Sequence, residues 1–225
     1  PLPHMLPTQE QFAAQVGALG IGDRHMVVLY AGAGLAGPAR VWWTFRVFGH
    51  DSVRILDGGL AAWKAAGGPV GTAVPCPAPV QFTPRFRPDL VRDRSQILAN
   101  IETRAEQILD ARAAGRFEGT AAEPWPGRRQ GHIPGSLNLD NATLLASGGG
   151  SLLPPDELRA RFAAAGYDAA KPVVTSCGSG ITACILALAL HRAGLPDAAV
   201  YDGSWAEWGL PGDLPVETGP ARQPD

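Results

Sequence analysis

The run Cys177-Gly178-Ser179-Gly180-Ile181-Thr182 concentrates the residue types with the most chemistry to offer. A thiol, two glycines and a serine stand immediately before an apolar stretch, a pattern that suits an anion site. Glycine lets the backbone curl so that successive N–H groups converge into a nest. A helix beginning just after the loop adds the positive end of its dipole. Both effects favour thiolate over thiol, and the thiolate is the nucleophilic form. The same donors would hold a persulfide anion. A structural cysteine on a buried turn is the plainer alternative. Cysteine-based phosphatases also use a strand–loop–helix cradle, but need an arginine in the loop to grip phosphate through two nitrogens. After Cys177 no arginine comes before Arg192, a whole helix away. Cys184 lies in the apolar stretch and reads as a small core hydrophobe. Cys76, among prolines, is given no role.

Such a loop needs a strand to deliver Cys177 and a helix to receive the chain. Residues 172–176 read as the strand, and residues 181–193 as the helix, ended by Gly194. Residues 107–110, 136–139 and 198–201 are further short strand candidates. Residues 156–165 read as a helix, with Pro155 and Asp156 as start signals. Strands alternating with helices imply an α/β fold with a largely parallel sheet covered on both faces. In such sheets ligands bind beyond the carboxyl ends of the strands, where Cys177 falls.

The chain also repeats itself. Val27-Val28-Leu29-Tyr30-Ala31-Gly32-Ala33-Gly34 aligns with Val173-Val174-Thr175-Ser176-Cys177-Gly178-Ser179-Gly180. Asp57-Gly58 with Trp63 aligns with Asp202-Gly203 with Trp208, and Met5-Leu6-Pro7 with Leu152-Leu153-Pro154. The order and nearly constant offset argue for duplication. The first copy keeps both glycines but has Ala31 in place of Cys177, the pattern of one active and one retired site. The second copy also owns residues 108–139, which the first lacks, so the gene product is expected to carry several dozen further residues at its N-terminus. Between the copies, Pro69, Pro75, Pro77, Pro79, Pro84 and Pro88 remove amide donors and favour extended chain. The expected organisation is a partial, non-catalytic first domain at 1–70, a semi-rigid linker at 71–92 and a catalytic second domain at 93–225.

Bulk properties exclude several classes. Hydrophobic residues make up 45% of the chain and charged residues 18%, so the chain is globular and not disordered. A net charge of −2 offers no basic field for nucleic acid or anionic membranes. The longest apolar run, residues 181–190, is about half of the ~18 residues a membrane span requires. Three cysteines without CxxC spacing indicate neither a disulfide framework nor a zinc site. They suit a reducing compartment, cytoplasmic or, in a eukaryote, mitochondrial. No cofactor is expected.

On these residues the chain resembles the rhodanese superfamily, specifically the two-domain 3-mercaptopyruvate sulfurtransferases. The Cys177 loop through Ala183 matches their active-site loop almost letter for letter. Gly131-His132-Ile133-Pro134-Gly135 resembles the family's first signature, and Tyr201-Asp202-Gly203-Ser204-Trp205-Ala206-Glu207-Trp208 its closing one. Trp42-Trp43 and Asp57-Gly58-Gly59 fit the non-catalytic domain. The resemblance implies tandem rhodanese-like domains with the first incomplete, and an active site in the cleft between them, formed mainly by the second. It implies sulfur transfer from a small-molecule donor, through a Cys177 persulfide, to a thiol acceptor such as thioredoxin or a low-molecular-weight thiol, or to cyanide. Gly178, Ser179, Gly180, Ile181 and Thr182 form the cradle. Arg116, in Gly115-Arg116-Phe117, resembles the family's substrate-binding arginine, and a guanidinium suits a 2-keto carboxylate. His4 is similar to a first-domain histidine that relays protons with the loop serine, here Ser179. His132 is expected to be structural. Trp125 stands after Glu123-Pro124 where the family usually has a second arginine, leaving Arg128 or Arg129 as substitutes. Thiosulfate-preferring members tend to carry basic residues just after the cysteine and so resemble this loop less; a thiosulfate sulfurtransferase is the alternative reading, and a non-catalytic rhodanese module a further one.

Overall fold

The computed structural model describes residues 2–221; Pro1 and residues 222–225, the outer ends of the two expected domains, lie outside the described residues. Two α/β units follow one another. In the first, α1 (Gln9–Ala18), β1 (Val27–Leu29), α2 (Ala36–Val47), β2 (Val53–Ile55) and α3 (Gly59–Ala65) surround a two-stranded parallel sheet. In the second, β3 (Val91–Arg92), α4 (Arg94–Thr103), β4 (Gln107–Asp110), α5 (Ala114–Glu118), β5 (Leu137–Asn138), α6 (Pro155–Ala164), β6 (Val173–Ser176), α7 (Ala183–Arg192), β7 (Ala199–Tyr201) and α8 (Ser204–Trp208) build a five-stranded sheet. Its order is β3-β7-β6-β4-β5, parallel throughout.

Local sequence accounts for most of these elements. Thr8 caps α1 and Asp93 caps α4, each in a capping box with a glutamine three residues on. Pro155 opens α6 where its missing N–H is not needed. Alternate residues of the strands face opposite layers. Leu109, Val173 and Val200 join the core under α7, whereas Ile108, Val174, Ala199 and Tyr201 pack with Ile97, Trp205 and Trp208 on the other face. The sheet is thus covered on both sides, as expected of parallel strands.

The proline-rich segment is strapped to the first unit rather than free. Val80 N–H donates to the Gly17 carbonyl at 3.0 Å, Arg85 N–H to Phe48 at 2.9 Å and Arg87 N–H to Val47 at 2.7 Å. Phe82 packs among Phe12, Phe45 and His50. The last two residues of the expected linker, Val91 and Arg92, are the edge strand of the second sheet. The helix expected over 181–193 begins later, at Ala183, because Gly180 adopts a left-handed φ of +77° and the chain turns before it coils. Helices α2 and α7, equivalent in the repeat, pack against each other across the two units.

Candidate active site

Strand β6 is buried along its whole length and ends at Ser176, so Cys177 sits at the carboxyl edge of the sheet's centre. The residue is 1% exposed. Its carbonyl accepts from Trp205 N–H at 2.9 Å and the Gly178 carbonyl from Ala206 N–H at 2.7 Å, so α8 holds the outer rim of the loop. Its own N–H donates to Ser204 Oγ at 3.1 Å, and that hydroxyl donates on to the Tyr201 carbonyl at 2.9 Å. Ser204 does this in a left-handed conformation, φ +48°, where the first copy has Gly59 at +61°. A non-glycine residue there costs roughly 1–2 kcal/mol, a strain retained alongside a hydroxyl beneath Cys177. From Gly178 to Thr182, no backbone N–H donates to a protein acceptor among the described residues. These are the donors of the expected nest. Cys184 lies fully buried one helical turn on, donates to the Gly180 carbonyl at 3.2 Å, and burial pushes its thiol up to about 12.

The first unit reaches this loop at two points. His4 Nδ1 and Ser179 Oγ lie 2.9 Å apart, a hydrogen bond spanning nearly the whole chain. The Trp125 ring meets the His4 ring edge-on at 6.1 Å between centroids, from the second unit's side. Arg40, on α2, is 7% exposed and donates to the Gly180 carbonyl at 3.1 Å, to the His4 carbonyl at 2.6 Å and to Asp202 Oδ1 at 2.6 Å. Asp202 Oδ2 accepts from Leu6 N–H at 2.8 Å, closing the cluster.

Arg116 comes in over the loop from α5, its Nη2 3.0 Å from where a Cβ on Gly178 would sit. The buried Glu123 carboxylate aims it, accepting from Arg116 Nη2 at 2.6 Å and Nε at 3.2 Å, and from Arg112 Nη1 at 2.8 Å. Arg112 is itself fixed by Asp110 and the Gly131 carbonyl, above the Trp205 ring. The two substitutes for the missing arginine do not serve as free cations. Arg129 donates to the Gly212, Leu214 and Trp208 carbonyls, and Arg128 to the Ala206 and Pro126 carbonyls. His132 is stacked on Phe117 at 3.7 Å, donates from Nδ1 to the Phe117 carbonyl, and is held below the usual histidine range by burial. Its place is under the loop before β5, not in the site. Among the described residues no group of three or more His, Cys, Asp or Glu side chains could hold a metal.

Cys177, Gly178, Ser179, Gly180, His4 and Arg116 are thus drawn together, with Ile181 and Thr182 half-buried at the start of α7. Sequence reasoning did not single out Arg40, Ser204, Glu123 or Asp202 as site residues. Asp202 and Ser204 had a signal in the closing signature, and Glu123 in its place beside the altered arginine; Arg40 had none.

A profile of the rhodanese-like domain matches residues 3–66 and 93–210. The chain belongs to the rhodanese family. Its relatives include the Arabidopsis thaliana thiosulfate/3-mercaptopyruvate sulfurtransferase 1, mitochondrial, 44% identical over an alignment that covers 96% of this chain and 62% of that protein. They also include the Homo sapiens 3-mercaptopyruvate sulfurtransferase, 43% identical over 92% of this chain and 70% of that one. The crystal structure of the Escherichia coli 3-mercaptopyruvate sulfurtransferase SseA superposes with a TM-score of 0.81 at 37% identity, covering 92% of this chain and 77% of that one. The chain therefore spans less than two thirds of the Arabidopsis protein. Within the rhodanese family, sulfur donors and thiol acceptors are the general substrates. No helix among the described residues is long and apolar enough to cross a membrane.

Proposed function

We propose that this rhodanese is a 3-mercaptopyruvate sulfurtransferase in which Cys177 carries the sulfur. The observation that carries the reading is the run of backbone N–H groups from Gly178 to Thr182 around a buried thiol, which have no protein acceptor among the described residues. Donors without partners are costly unless an anion uses them. The Cys177 thiolate attacks the donor's sulfur. The donor's C–S bond breaks, an S–S bond forms, and the carbon takes up a proton to become the methyl group of pyruvate. Ser179 with His4, 2.9 Å apart, moves that proton. Arg116 holds the donor carboxylate. An acceptor thiolate, from thioredoxin or a low-molecular-weight thiol, then takes the outer sulfur and frees Cys177; cyanide can do the same. This is covalent catalysis in two half-reactions. A reducing compartment, cytosol or mitochondrial matrix, keeps such a thiol available.

Thiosulfate is the second reading. It is disfavoured because Gly178-Ser179-Gly180 adds no cation for a dianion, and Arg128 and Arg129 are occupied by backbone carbonyls. Treating the protein with 3-mercaptopyruvate and weighing it intact tests the proposal. The mass should rise by one sulfur atom. Cys177→Ser should abolish the rise and Cys184→Ser should not. Persulfide on Cys184, or kcat/KM higher for thiosulfate than for mercaptopyruvate, overturns it.

A further inference from the structure

The repeat supplies an internal control for Arg40. At the offset that pairs Gly34 with Gly180, Arg40 pairs with Leu186, which is fully buried. The fold therefore accepts an apolar residue at this position of the helix. An arginine here is nearly as buried, and burying a charge is costly unless it is paired and hydrogen-bonded. Its acceptors come from three separate segments: the His4 carbonyl, the Gly180 carbonyl and the Asp202 carboxylate. The Trp43 ring backs the guanidinium at 4.5 Å.

The first copy's own glycine loop shows the arrangement with no arginine against it. Asp57, the counterpart of Asp202, is exposed and makes no ion pair among the described residues. Gly34 and Gly180 share nearly the same left-handed φ, +72° and +77°. A Cβ on Gly34 would meet nothing, whereas one on Gly180 would come within 2.7 Å of the Asp202 carbonyl and 3.0 Å of Arg40 Nη1. The retired loop is open; the loop with the thiol is clamped.

We propose that Arg40 is a positioning residue for the Cys177 loop, contributed by the non-catalytic unit. By holding the Gly180 carbonyl outward it leaves the loop's N–H groups for the anion. By holding the His4 carbonyl it keeps His4, whose φ is +59°, within reach of Ser179. Docking of the first unit and assembly of the sulfur site are then one event. The inference rests on Cys177 being the nucleophile, but not on the identity of the donor.

The test compares Arg40→Met and Arg40→Lys with Arg46→Met. Arg46 also bridges the units, to Asp197 at 2.7 Å, but touches none of the loop. Two readouts are taken: steady-state kinetics with 3-mercaptopyruvate, and the rate of Cys177 alkylation by iodoacetamide, which needs no donor. A misplaced reacting group can cost about a hundredfold, so Arg40→Met should lower kcat by roughly ten- to hundredfold with the donor KM little changed. It should slow alkylation of Cys177 as well. A lysine ammonium cannot span three acceptors, so Arg40→Lys should fall between. Added guanidinium should restore part of the loss in Arg40→Met, and Arg46→Met should behave as the parent. If Arg46→Met loses as much as Arg40→Met, or if folded Arg40→Lys alkylates and turns over at the parental rate, the proposal fails. Should Arg40→Met not fold, Arg40→Lys against Arg46→Met carries the same decision. A parent inactive with mercaptopyruvate would count against the donor assignment alone, leaving the alkylation comparison to judge Arg40.

Discussion

Replacing Arg116 with methionine keeps the length of the side chain's stem and removes the guanidinium. Its Nη2 and Nε are committed to Glu123 at 2.6 and 3.2 Å, while Nη1 makes no protein hydrogen bond among the described residues and lies beside Gly178. The side chain is 26% exposed, open enough to meet a ligand entering over the loop. A hydrogen bond to a charged group is worth ~1.5–3 kcal/mol. At ~1.4 kcal/mol per factor of ten, Arg116→Met should cut kcat/KM for 3-mercaptopyruvate by roughly ten- to hundredfold. The cost in stability should stay well under the ~3–5 kcal/mol of a stranded buried charge, because Glu123 keeps its bond to Arg112 at 2.8 Å. Arg116→Lys should recover little, since one ammonium cannot pair with Glu123 and reach the donor together. The assay is ping-pong kinetics with donor and acceptor varied independently, alongside thermal unfolding. The loss belongs in the donor half-reaction. A folded Arg116→Met protein with kcat/KM within about twofold of the parent, or with a defect confined to the acceptor half-reaction, refutes the carboxylate role.

Two further outcomes follow from buried groups. Burial lowers the His132 pKa in the folded chain, so the unfolded chain binds a proton first as pH falls. Its contribution to stability should be full above the unfolded histidine value, ~6.5, and decline as pH drops through it toward the lowered folded value; urea unfolding at stepped pH should show that decline, reduced in His132→Gln, and an unchanged profile would refute it. At Ser204, alanine removes the hydroxyl and keeps the left-handed strain, whereas glycine removes both, so urea midpoints should place Ser204→Gly above Ser204→Ala by roughly 1 kcal/mol. The reverse order would show that the strain is not stored there.

The sequence by itself determined what depends on near neighbours. Strand, glycine loop and helix are contiguous, so the Cys177 cradle could be read from residues 172–193, and the capping boxes at Thr8 and Asp93 are written three residues apart. The repeat marked Ala31 against Cys177 without any structure. It could not say which equivalent positions are buried: Trp208 is fully enclosed, whereas its counterpart Trp63 is 40% exposed. Nor could it choose among arginines. Arg40, Arg116, Arg128 and Arg129 are chemically identical, and each one's acceptor is set by what the fold brings beside it. For Arg128 and Arg129 the acceptors are carbonyls around α8, and for Arg116 a buried glutamate. Arg40 sits in a helix whose sequence gives its cation no special place, yet its partners lie 36, 140 and 162 residues away. Such a pairing has no local signature, because a buried charge is tolerated only where distant segments converge to satisfy it, and convergence is a property of the packed units alone.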